Sequence, residues 1–178
     1  MKKLIAMMLA AVMVAGLFAA CGKTDGGAAA KTPLEGTMES VVTSIMEKSP
    51  VEFMGGMMPV DLADASEDGL LALKSFTGLS SAEKLSDIAV YESMMGAQAF
   101  SLVLVRVKDA KDTKTVAQEM SDNIDTRKWV CVGADEKIVA GYCDVVMLIM
   151  LDSGLELSAQ SYVDAFKSVC PGELDFTI

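Results

Sequence analysis

Two segments constrain the fold more than any others. Phe100–Val107 (FSLVLVRV) and Val145–Leu151 (VVMLIML) are short, β-branched and apolar in both phases of a two-residue repeat. In the first, Phe100, Leu102 and Leu104 take one phase while Val103, Val105 and Val107 take the other. Successive side chains of a strand point to opposite faces, so a strand apolar in both phases lies at the centre of a sheet covered on both sides.

The flanking sequence supplies more strands and the cover. Ile88–Ser93 reads as a strand joined through Gly96-Ala97-Gln98 to the one at 100–108, and Trp129–Val132 and Lys137–Ala140 read as further strands. Gly141-Tyr142-Cys143-Asp144 is the turn into Val145. Thr32-Pro33-Leu34-Glu35 is a capping-box pattern, and Met38, Val41, Val42, Ile45 and Met46 follow at helical spacing until Ser49-Pro50. A short helix is expected from about Asp68 to Phe76. Another runs from a cap at Asp109 to about Asn123, with Val116, Ala117, Met120 and Ile124 on one side, and a last one from Ser158 to Val169. The expected architecture is α+β: a mainly antiparallel sheet of about four strands with helices packed on it. The helices at 110–124 and 158–169 are expected on one face. The helix from Pro33 to Lys48, with Met54–Met58, is the lid for the other. Phe53–Pro59 itself is too rich in breakers to form an element. Should the lid be incomplete, Met54, Met57 and Met58, with Trp129, form an apolar patch of the kind that marks partner surfaces.

The amino terminus speaks to location. Met1-Lys2-Lys3 is a short basic start, Leu4–Ala20 carries no charge, and small residues precede Cys21. That is the composition of a secretory signal peptide over residues 1–20. Phe18-Ala19-Ala20-Cys21 resembles the bacterial lipobox, which implies lipidation of Cys21 with diacylglycerol and a further acyl chain such as palmitate. Two or more acyl chains anchor a protein durably. Residues 21–32 are small and polar, a flexible tether of at most about 35 Å. Residues 33–178 then form a single domain, held at the outer face of the cytoplasmic membrane.

Composition narrows the chemistry. The formal charge of the 178-residue chain is −10, and removing the leader, with Lys2 and Lys3 and no acid, lowers it to −12. Such an excess of carboxylates repels phosphate backbones and excludes nucleic acid as a partner. The absence of histidine removes every Ser-His, Cys-His and His-ligated metal mechanism. An apolar fraction of 52% is too high for wholesale disorder.

Asp87-Ile88-Ala89-Val90-Tyr91-Glu92, the strand and helix from Ala99 to Asn123, Asn123–Val132 and Asp144–Met150 together carry a resemblance. With the lipobox and tether, they are similar to a family of uncharacterised lipoproteins of Gram-positive bacteria, a domain of unknown function. The likeness spans about residues 36 to 170, departs at Thr126 where proline is expected, and contains no catalytic motif. It implies an extracytoplasmic lipoprotein with a small α+β domain.

Isolated motifs offer chemistry, each beside a plainer reading. Ser81-Ala82-Glu83-Lys84 matches S-x-x-K and Ser121-Asp122-Asn123 matches S-D-N, an echo of serine acyl-transferases acting on cell-wall peptides, but K-T-G is missing and Ser81 sits in a polar loop. Asp64-Ala65-Ser66-Glu67-Asp68-Gly69 matches half a calcium loop, whose twelfth position is Ser75 rather than glutamate. It also reads as a helix cap. Cys131, Cys143 and Cys170 allow three single disulfides, of which Cys131–Cys143, flanking one strand, is the first to test, or else remain as buried free thiols. Met54, Met57 and Met58, with Met94 and Met95, offer thioethers to Cu(I), or else fill the core or lid. Trp129 beside Arg127 and Lys128 is a surface anchor or a packed residue. With no complete catalytic set, the expected function is a non-catalytic interaction or accessory module, without cofactor or metal, for a protein partner. The alternatives are a cell-wall peptide acyl-transfer enzyme using Ser81 and Lys84, or a metal or small-ligand capture lipoprotein.

Overall fold

The computed structural model describes residues 31–178; the expected leader, Cys21 and the tether up to residue 30 lie outside the described residues. The elements run α1 (Met38–Lys48), β1 (Gly55–Met58), α2 (Glu67–Thr77), β2 (Leu85–Ser93), β3 (Phe100–Val107), α3 (Thr113–Asn123), β4 (Glu136–Tyr142), β5 (Val145–Leu151), α4 (Ala159–Val169) and β6 (Phe176–Thr177). The strands form one sheet in the order β1-β2-β3-β5-β4-β6, with every neighbouring pair antiparallel. The α+β class and the antiparallel sheet match the sequence reading, and the strand count is six rather than about four.

The doubly apolar strands are where their composition demands. β3 and β5 pair at the centre, from Phe100 opposite Leu151 to Arg106 opposite Val145, and every residue of β5 is buried. On one face Phe100, Leu102, Leu104, Met147 and Ile149 pack under α1 and α4. On the other, Val103, Val105, Val146, Leu148 and Met150 pack under α2 and α3. Fully burying one such side chain contributes about 1.5–3 kcal/mol.

The helices divide between the faces differently from expectation: α3 and α4 lie on opposite sides, α3 with α2 and α4 with α1. The topology explains this. The β3-α3-β4 and β5-α4-β6 connections each step over one strand in the same direction across the sheet. They leave from strands that point opposite ways, because β3 and β5 are antiparallel. Crossovers of this kind are almost always right-handed, and one hand applied to opposite starting directions puts the helices on opposite faces.

Three local readings also change. Trp129–Val132 is not a strand: Ala134 N–H donates to the Thr126 carbonyl at 2.7 Å and closes a loop between α3 and β4. The glycine-rich stretch read as a breaker holds β1, an edge strand, where a Cβ on Gly55 would meet the Tyr91 ring at 2.7 Å. α1 starts at Met38, not Pro33. Its cap is Thr37, whose hydroxyl accepts from Ser40 N–H at 3.2 Å, while the Thr32 carbonyl is taken by the Tyr142 hydroxyl at 2.7 Å. At the β4–β5 turn, Cys143 adopts φ 50, and Gly141 lies within β4, where a Cβ would run into the Phe176 ring.

The chain enters at one end of the sheet and is stitched there. Arg106 donates to the carbonyls of Leu34 (2.8 Å) and Gly36 (3.0 Å) and pairs with Asp144 at 3.0 Å. Lys31 pairs with Asp175 at 2.6 Å beside the carboxy-terminal edge.

Candidate functional site

Both faces of the sheet are covered, and the exposed apolar side chains lie outside them, including Leu71 on the outer side of α2 and a group of methionines. Met54 is 68% exposed, Met94 63%, Met95 50% and Met57 36%. Three of them meet where β1 begins and β2 ends: Met94 N–H donates to the Met54 carbonyl at 2.9 Å, and Met95 follows in the β2–β3 connection. That connection is held from within. The Ser93 hydroxyl accepts from Met95 N–H at 3.1 Å and donates to Gln98 Oε1 at 3.1 Å, and Gln98 N–H reaches the Met95 carbonyl at 3.0 Å. The inner hydrogen bonds leave Met94 and Met95 pointing outward. Val130, 94% exposed, belongs to the α3–β4 loop, which reaches the same end through Lys128 and Glu92.

This apolar end is remote from the chain entry. Phe100 of β3 marks the methionine end and Arg106, which holds Leu34 and Gly36, marks the other. The length of β3 separates them, about 25 Å for eight residues.

The four residues expected in an apolar patch are placed differently from one another. Met54 and Met57 are exposed; Met58 is partly buried against the α2–α3 core and Trp129 packs there too, so both are structural. Period-two alternation turns Met58 inward, opposite Val90. Met94 and Met95, considered from sequence only as thioether donors, complete the surface.

Trp129 belongs to a buried ionic cluster that the sequence reading missed. Lys128 pairs with Glu92, donates to the Ser75 carbonyl at 3.2 Å, and stands 5.0 Å from the Phe76 ring centroid and 5.2 Å from that of Trp129. Both charged side chains keep only about a tenth of their surface exposed, 10% and 12%. Burial pushes the Lys128 amine below its ordinary value, and Glu92 pulls it back up. The signal was available, because Glu92 shares the phase of Ile88 and Val90 on an otherwise apolar strand face. The pair pins the α3–β4 loop onto the sheet.

The motif residues are placed as follows. Ser81 Oγ accepts from Glu83 N–H at 3.1 Å, whereas Lys84 points to Asp112 at 3.6 Å, so no Ser81–Lys84 hydrogen bond exists. Ser121-Asp122-Asn123 is the last turn of α3. In the half calcium loop, Asp64 Oδ1 accepts from Ser66 N–H at 2.9 Å, and Ser66 caps α2 by accepting from Gly69 N–H at 3.1 Å. Hydrogen bonds from Ser66 hold the Asp64 carboxyl below the usual carboxylate range. Among the described residues no three acidic or thiol groups gather as a metal site.

Cys131 is a free, exposed thiol at the methionine end, and Cys143 is buried in the turn at the far end of β4. The seven residues of β4 put about 20 Å between these ends. A disulfide needs Cα atoms within about 7 Å, so the Cys131–Cys143 bond expected from their flanking positions does not form. Cys170, at the end of α4, has its thiol pushed up to about 12, chiefly by burial.

Comparison with family models, curated proteins and solved structures finds no match for this chain.

Proposed function

We propose that this protein is a lipid-anchored, extracytoplasmic module that acts by presenting the methionine end of its sheet to a protein partner, without catalysis. The observation that carries the reading is the grouping of exposed Met54, Met94 and Met95 at the end away from the chain entry. Contiguous exposed apolar surface on an otherwise well-covered domain is the usual mark of a partner site. The entry geometry agrees with an anchor. A tether from Cys21 reaches at most about 35 Å, which keeps the domain close to the bilayer.

Two measurements test this. Cys21→Ser is expected to release the protein from the membrane fraction, and full retention counts against the anchor. A photoreactive residue at position 94 of the anchored protein is expected to capture a discrete product that the same residue at Lys114, on α3, does not. Equal labelling from both positions, or none from position 94, removes the partner reading.

A further inference from the structure

The partner surface includes an open strand edge with a defined polarity. β1 is the outermost strand, and on its outer side it pairs with no strand of the sheet. The Met94-to-Met54 hydrogen bond sets the ladder, so Met54, Gly56 and Met58 turn their backbone groups toward β2. By the alternation of an antiparallel pair, the N–H and C=O of Gly55 and Met57 point outward. Among the described residues nothing hydrogen-bonds to them there. Edge strands are normally kept short or carry lysine, proline or a bulge; β1 is short and is followed by Pro59, but its four residues, GGMM, carry no lysine, proline or bulge. The opposite edge differs, since the strand there is the two-residue β6, which covers β4.

The electrostatic surroundings say what the edge accepts. From Ser49 to Leu73 the chain carries Glu52, Asp61, Asp64, Glu67 and Asp68, all exposed, and no lysine or arginine. Past the end of β1 the surface opens into a groove of about 460 Å³ lined by Pro59, Val60, Asp61, Asp64, Asp68 and Ala72. A strand laid along β1 runs directly into three carboxylates.

We infer that β1 is a docking edge for an extended, basic segment of another protein, which adds a strand beside Gly55 and Met57 and sets a lysine or arginine into the Asp61–Asp64–Asp68 groove. This rests on the interaction-module reading and specifies its partner. Main-chain hydrogen bonds supply the affinity of such an added strand, and side-chain complementarity selects the sequence.

The test uses the full chain in detergent with two synthetic probes, a ten-residue peptide alternating valine and lysine and its valine–glutamate counterpart. Amide exchange followed by NMR is expected to show protection of Gly55 and Met57 by the lysine peptide, with at least tenfold weaker binding of the glutamate peptide. Met57→Pro, which removes the outward N–H at a position where an edge strand tolerates proline, is expected to weaken binding tenfold or more. Asp61→Lys with Asp68→Lys is expected to invert the preference between the peptides and guards against a misfolded proline variant. Protection confined to other elements overturns the inference, as does equal binding of both peptides or no binding of either. Self-association without peptide that protects Gly55 and Met57 also overturns it, because the occupant is then a second copy. Crosslinking from position 94 that persists in Met57→Pro keeps the module reading and removes the edge. Peptide binding at β1 without any crosslink in the membrane keeps the edge and removes the wider reading.

Discussion

Lys128→Met tests how far the α3–β4 loop depends on one ion pair. Lys128 and Glu92 are each about nine-tenths buried, with Lys128 between the Phe76 and Trp129 rings. Methionine keeps the length of the side chain but removes the counter-charge, leaving the Glu92 carboxylate alone on the apolar face under α2. Breaking a buried pair in this way costs about 3 kcal/mol, because the stranded charge keeps its desolvation penalty and loses its compensation. For a domain of this size each kcal/mol is worth about 3 °C, so the melting midpoint falls by about 9 °C. Replacing both partners, Glu92→Leu with Lys128→Met, removes the stranded charge and returns stability to within about 1 kcal/mol of the parent. Urea unfolding of the full chain in detergent, followed by far-UV circular dichroism, measures all the variants needed for the cycle. Fluorescence of Trp129, the one tryptophan, reports on the loop itself. If Lys128→Met costs less than about 1 kcal/mol, the worth of an exposed pair, the cluster is solvated and the loop is not pinned by it. A double variant no more stable than Lys128→Met refutes the stranded-charge argument by itself.

Three further outcomes follow from the same buried groups. Burial pushes Tyr142 and Tyr162 up from 10.0 to about 12 and Cys170 from 9.0 to about 12. Between those values the unfolded chain has lost protons that the folded chain keeps, so stability is intact below about pH 9 and falls as pH rises toward 12. Lys128, lowered from 10.5, acts in the opposite sense but is one group against three; a urea midpoint that does not drop between pH 8 and pH 11 contradicts this. The Tyr162 hydroxyl is buried with no hydrogen-bond partner among the described residues, so Tyr162→Phe is expected to be neutral or to stabilise by up to about 1 kcal/mol, and a loss greater than that reveals a hidden partner. Iodoacetamide at pH 8 should label exposed Cys131 well before Cys170, whose thiolate fraction is on the order of one in ten thousand. Peptide mapping that finds equal rates shows that the α4 terminus opens.

The parts of the fold legible from sequence are those where one local rule acts alone. β3 and β5 declared themselves because a strand buried on both faces has no polar phase to preserve. α2 and α4 were legible within a residue or two of their bounds, and the structure adds the hydroxyls of Ser66 and Ser158, which cap their first turns. The misplaced parts are those decided by distant residues. Gly55-Gly56 reads as a break until the Tyr91 ring fills the space beside it. Trp129–Val132 has strand composition, yet it lies in a loop closed by the Ala134-to-Thr126 hydrogen bond and held to the sheet by the Lys128–Glu92 pair. The face taken by α4 depends on the direction of β5 relative to β3, which no residue in α4 encodes. The same division runs through the candidate surface. Met54 and Met57 are exposed, whereas Met58 turns inward according to a pairing register that only the assembled sheet sets, and Trp129 packs inward beside Lys128. Met94 and Met95 joined the surface through the hydrogen bond between Met94 and Met54, two residues forty positions apart.

The location of that surface is a consequence of how the sheet is closed. Four helices satisfy both faces of β3 and β5, which leaves two ends and two edges for contact with anything else. One end is consumed by the chain entry, where Arg106, Tyr142 and Lys31 bind residues 32–36 and the carboxy-terminal segment. The edge beside β4 is consumed by β6, whose neighbour Ile178 donates to the Val139 carbonyl at 2.7 Å and accepts from the Val139 N–H at 3.0 Å. What remains is the methionine end and the adjoining β1 edge. Their exposure is not what a monomer gains from packing, since burying Met54 or Met94 would be worth about 1.5–3 kcal/mol each. Under the proposed reading that apolar surface is buried on partner binding, and β1 leads from it toward the acidic groove of Asp61, Asp64 and Asp68.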